Sequence, residues 1–178
     1  ATLYIQDAPG VGSNVAFTNP YALLVDSGLT RLDGGVTFGD ETLSTYDEGT
    51  WSPTIVGSST AGSQTNLTQE GWYVKIGDMV FAGYYIRINK GGTMAGDVHL
   101  GGLPFTSYTD STNEVASGGL AKYRNINTLG TDITIQIGAN VTYGNLVDNA
   151  DNGTESNVAV SAISNGHLVQ GCCVYRST

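Results

Sequence analysis

The stretch Met79–Asn89 leaves little choice of fold. Val80, Ala82, Tyr84, Ile86 and Ile88 alternate with Phe81, Gly83, Tyr85 and Arg87. A period of two is the mark of a strand that turns one face to a core. Upstream, Trp72-Tyr-Val-Lys-Ile76 reaches this run through Gly77-Asp78, a turn-forming pair, so the two runs predict a hairpin. Further extended runs at 51–56, 97–100, 115–124, 133–137, 158–164 and 168–175 bring the total to about eight strands. A polar loop over 57–66 and a turn at Lys90-Gly-Gly92 punctuate them. The 25 glycines follow no three-residue period, which excludes collagen, and no segment of helix length shows a helical period. At 40% hydrophobic residues with ten tyrosines there is enough apolar surface for a core. The expected fold is all-β: an antiparallel β-sandwich of jelly-roll type.

The N-terminal part reads differently. Residues 1–48 are short extended pieces separated by glycine turns: Leu3 and Ile5 before Asp7-Ala-Pro-Gly10, then Tyr21-Ala-Leu-Leu-Val25, Leu29-Thr-Arg-Leu32 and Val36-Thr-Phe38. Such pieces bury too little surface to offset their ordering entropy alone. Threefold association, with copies sharing a core as a shaft or collar, is one solution. Extension of the downstream sheets is the other. The expected organisation is a β-rich shaft or collar over 1–48 and a sandwich tip over 49–178, assembled as a homotrimer. The chain opens Ala1-Thr-Leu3 without methionine, so it is expected to continue a longer protein.

Charge narrows the partners. The formal net charge is −9, and only seven Lys and Arg residues are present. These cations are scattered along the chain, whereas a phosphate-tracking surface needs them clustered, so nucleic acid is not an expected partner. Anionic membranes are disfavoured for the same reason, and no apolar run is long enough to span a bilayer. Cys172 and Cys173 are adjacent, and neighbours on a strand face opposite ways, so two free thiols are expected, one of them in the core.

No nucleophile elbow or other catalytic signature occurs, and most acidic residues sit in turn contexts (Asp26, Asp33, Asp40, Asp78, Asp110), where backbone hydrogen bonds account for them. The chain is therefore read as a non-enzyme without a cofactor. The oxygen-rich run from Asp148 to Glu155 has Ala150 at the third position of a calcium-loop pattern and no flanking helices, so no metal site is assigned. Aromatic residues are the best binding candidates, because sugar C–H faces pack on rings while amides and carboxylates hold the hydroxyls. Trp51, Trp72 and Tyr73 are read as core. Binding is assigned to two segments read as loops, 107–114 and 143–155, with Tyr108, Asp110, Asn113, Tyr143, Asn145 and Asp148 as the ligand-binding residues.

Three blocks carry a resemblance: Tyr46-Asp-Glu-Gly-Thr-Trp-Ser-Pro-Thr54, Gly71-Trp-Tyr-Val-Lys-Ile-Gly77 and Gly102-Leu-Pro-Phe-Thr106. In this order they are similar to the C-terminal module of bacteriophage tail-fibre and tail-spike proteins. Residues 46–106 carry the likeness; beyond them it is only general. The resemblance implies a virion-surface protein: a trimeric fibre or spike tip that binds a host surface polysaccharide or protein receptor and contacts other virion proteins. Related modules also ornament capsids, so a decoration or head-fibre protein that stabilises the shell is the alternative. The resemblance transfers no ligand or catalytic residue.

Overall fold

The computed structural model of the chain describes residues 36–38, 41–43, 45–109, 114–127, 132–149 and 154–178, with side-chain surroundings described outside 36–43 and 114–121. The regular structure of the described residues is almost entirely strand: β1 Val36–Phe38, β2 Glu41–Leu43, β3 Tyr46–Thr50, β4 Thr54–Gly57, β5 Thr65–Ile76, β6 Met79–Asn89, β7 Val98–Gly101, β8 Glu114–Ile126, β9 Asp132–Gly138, β10 Tyr143–Asn149, β11 Ser156–Asn157 and β12 Ile163–Arg176. One 3-10 turn, Val160–Ala162, interrupts them. The expected pieces before Val36 lie outside the described residues. Val36-Thr-Phe38 forms a small hairpin with Glu41–Leu43.

The hairpin read from Gly77-Asp78 is present. Ile76 stands opposite Met79, and Gly77 adopts φ +57, a conformation that costs glycine nothing and suits a two-residue hairpin turn. From this hairpin the ladder runs β3-β5-β6-β12-β8-β9-β10-β7-β4, antiparallel throughout, with β11 added beside β10. Strands β8, β9 and β10 follow one another, and β12 returns beside β8, giving the spatial order of a Greek key. The two edge strands β3 and β4 are joined by Trp51-Ser-Pro53 alone. A three-residue link can connect opposite edges only if the sheet curls back on itself.

The result is a sandwich of two antiparallel layers, as the strand pattern predicts. The inward residues of β6 (Val80, Ala82, Tyr84, Ile86, Ile88) and of β12 (Val169, Cys173, Tyr175) pack into one core with Ile133, Ile135 and Ile137 of β9, Leu146 of β10, Val98 and Leu100 of β7 and Ile55 of β4. Ladder partners share a face, so each layer sends one parity of its residues into this core. Trp51 fills the corner between the layers, its Nε1–H donating to the Gly83 carbonyl at 2.9 Å and its ring meeting Tyr84 edge-on. Cys173 is buried and Cys172 exposed, both as free thiols.

Two sequence assignments are corrected. The segment 143–155, read as a loop, begins with strand β10, which lies between β9 and β7 and so within the ladder. The segment 158–164, read as a strand, is the 3-10 turn flanked by extended residues.

Candidate functional site

The outer face of the β3-β5-β6-β12 layer is where side chains gather that the core does not use. Register places Glu70, Tyr85 and Gln170 side by side in one row, Thr50, Trp72, Gly83 and Cys172 in the next, and Glu48, Val74, Phe81 and Val174 in a third. Trp72 was read as core, and this is the chief correction. It is 55% exposed, while its neighbour Tyr73 turns inward and packs edge-to-face on Phe105 at 5.2 Å. Consecutive residues on a strand cannot share a face.

The indole has a prepared seat. Gly83 lies directly across from Trp72, and a methyl group added there would stand 2.3 Å from Trp72 Cε2 and 2.5 Å from Nε1. Only a residue without a side chain lets the ring settle over the β6 backbone. One side of the ring is thus supported by the sheet, and more than half of the residue stays open to solvent.

A groove borders the indole on each side. The first, about 430 Å³, is lined by Glu70, Trp72, Tyr84, Tyr85, Gln170 and Cys172, together with Gly171. The second, about 390 Å³, is lined by Glu48, Thr50, Trp72, Tyr73 and Val74, together with Gly49. Beside the second, Tyr46 donates its hydroxyl to the Glu48 carboxylate, and this bond holds the phenol pKa above its ordinary value. In the first, partial burial pushes the Cys172 thiol up, so it stays protonated at neutral pH. The set of groups consists of one indole, phenols, an amide and carboxylates. Such a set can stack on an apolar ring face and accept or donate hydrogen bonds. Among the described residues no group of three His, Cys, Asp or Glu side chains is placed to hold a metal ion.

Of the residues assigned from sequence, the four that are described, Tyr108, Tyr143, Asn145 and Asp148, line neither groove. Asp110 and Asn113 lie outside the described residues. Tyr108 is half-buried, its ring under the Arg176 guanidinium at 4.0 Å and its backbone N–H donating to the Arg176 carbonyl. Arg176 also pairs with Asp78 at 3.1 Å on the surface. Tyr143 stacks on His99 with ring centroids 4.2 Å apart and planes 8° from parallel, and Asn145 stands opposite His99 in the ladder. Burial lowers the His99 pKa, with Asp97 opposing. Asp148 is buried, sharing the core-facing parity of Ile133, its ladder partner. Tyr143 and Asn145 therefore share the outer face of the second layer, and Asp148 points to the other side.

Trp72, Glu70, Tyr85, Gln170 and Glu48 were not singled out as a site in the sequence. A signal did exist. In Trp72-Tyr73 two large aromatics are adjacent on a strand, so one of them must leave the core, and Gly83 interrupts the other row of β6, between Phe81 and Tyr85, at the position facing Trp72.

Comparison with known proteins adds no relative: no protein-family model matches the chain, and no curated protein matches it.

Proposed function

We propose that this chain is a recognition module, the receptor-binding tip of a virion-surface fibre or spike that holds a saccharide on the host cell. The observation that carries the reading is Trp72: a largely exposed indole seated over Gly83, with hydrogen-bonding side chains on both flanks. Trp72 shares its face with the exposed side chains of Phe81, Ile76 and Met79, and a contiguous apolar patch of this kind marks an interaction surface. A ring fixed on a rigid strand loses little entropy when a ligand packs on it. The three sequence blocks that resemble phage fibre modules supply the virion setting.

A second reading has its own observation. Tyr46, Ile76, Met79 and Phe81, all 40% exposed or more, continue the same outer face away from Trp72. Such a patch also suits a decoration protein seated on a shell.

Trp72→Ala decides between them. The variant is expected to lose at least tenfold in binding to host cells, as truncation of a central aromatic anchor does, while its melting temperature stays within a few degrees of wild type. Undiminished cell binding, or wild-type protein that binds purified shells and no cells, removes the receptor reading.

A further inference from the structure

The two grooves share a wall, and that wall is the Trp72 indole. We infer that the ligand is an uncharged oligosaccharide lying across the strands, one sugar in the Glu70–Gln170 groove and the next in the Glu48–Thr50 groove, with the chain passing over Trp72. This rests on the recognition reading above and adds the ligand's charge, its minimum length and its direction.

Charge follows from the lining. Neither groove is lined by a Lys or Arg, and each contributes one glutamate, Glu70 in the first and Glu48 in the second. A sialic acid or phosphate placed there would meet a carboxylate with no cation to compensate, inside a chain whose formal charge is −9. On the same face Lys122 stands opposite Gln170 on β8 and Arg87 lies two residues along β6 from Tyr85, but neither lines the groove. Sugar hydroxyls, in contrast, donate to carboxylates and both donate to and accept from the Gln170 amide and the Thr50 hydroxyl.

Length follows from geometry. Thr50 on β3, Trp72 on β5 and Cys172 on β12 belong to one cross-strand row. From β3 to β12 that row spans three inter-strand steps of about 4.8 Å. A ligand confined to one groove would use one flank of the indole and leave the other wet. A chain crossing the strands uses both. The Tyr46–Glu48 hydrogen bond fixes the carboxylate at the far end before any ligand arrives.

The test is an array of uncharged oligosaccharides of one to four units, printed beside the same backbones carrying sialic acid or phosphate, probed with the full chain and followed by titration of the hits. Expected are hits among uncharged glycans of two or more units, each roughly tenfold weaker as a single sugar and at least tenfold weaker when sialylated or phosphorylated. Glu48→Gln should weaken the longer ligands several-fold and leave a single sugar unchanged, whereas Gln170→Ala should weaken both. Equal affinity for single sugars, preference for an anionic glycan, or an affinity indifferent to Glu48→Gln overturns the inference while leaving saccharide recognition in place. No retained glycan of any kind, or hits that survive Trp72→Ala, removes the recognition reading itself.

Discussion

His167 carries the clearest acid-sensitive interaction among the described side chains. It is fully buried opposite Ile88, its Nδ1–H donates to the Arg124 carbonyl at 3.2 Å, and its Nε2 has no hydrogen-bond partner. A proton on Nε2 would create a buried, unpaired charge, and burial accordingly pulls the pKa from 6.5 to about 4, against the raising effect of backbone carbonyls. The sign follows from linkage. The folded chain resists protonation more than the unfolded one, so this contribution is complete above pH 6.5, declines as pH falls and is gone below about 4. Its size is at most on the order of 3 kcal/mol. Urea midpoints should therefore fall between pH 7 and pH 4.5 in wild type, and fall less in His167→Gln. An identical decline in both proteins would place the acid sensitivity elsewhere. Residue-scale features of this kind are hard to see in sequence, since a lone histidine in a strand looks the same whether its second nitrogen is satisfied or not.

At the scale of elements, the strands with strong alternation were legible and those without it were not. Strand β6 and the Ile133, Ile135, Ile137 run of β9 announce themselves, because every second residue is large and apolar. Strand β10, Tyr-Gly-Asn-Leu-Val-Asp-Asn, carries turn-forming residues in four of its seven positions, Gly144, Asn145, Asp148 and Asn149, and local propensity alone reads it as a loop. Ladder partners on both sides, β9 and β7, override that propensity. The reverse holds at 158–164, where alternating Val158, Val160 and Ser161-Ala162-Ile163 suggest a strand and a 3-10 turn forms instead. Lys90 is the reason visible in the structure: its Nζ donates to the carbonyls of Val160 at 2.8 Å and Ile163 at 3.3 Å, at either end of the turn. Lys90→Met keeps the aliphatic stem and removes both bonds. It should cost about 1.5–3 kcal/mol in urea unfolding, the range for hydrogen bonds involving a charged group. A loss below about 0.5 kcal/mol would mean that the turn holds its shape without the lysine. The candidate site was missed for a related reason, since it joins β3 and the β5–β6 hairpin to the distant β12, and only the register brings Glu48, Trp72, Tyr85 and Gln170 to one face.

For the whole molecule, the outer face of β3, β5 and β6 sets the last expectation. Its end nearest the N-terminal segment carries Tyr46, Ile76 and Met79 in adjacent positions of one row, with Phe81 in the next, at exposures of 61, 43, 42 and 40%. Isolated apolar side chains on a surface need no explanation, but a contiguous set of several hundred Å² does. The same end leads back into the segment 1–48, whose short glycine-broken runs are expected from sequence to need a partner in order to fold. A formal charge of −9 opposes close approach of copies, so a trimer would have to be held by apolar contact, and that repulsion is screened beyond about 8 Å at physiological ionic strength. Closed threefold symmetry satisfies both demands, because each copy can cover its neighbour's N-terminal runs while no interface is left open to grow. Light scattering of the purified chain should accordingly return three copies. The assembly should tighten with added salt, since screening relieves the like-charge repulsion while apolar contact persists. A folded monomer at micromolar concentration, unchanged between low and high salt, would show that the N-terminal runs and the exposed face are accommodated within a single copy, and the shaft would then have no physical basis.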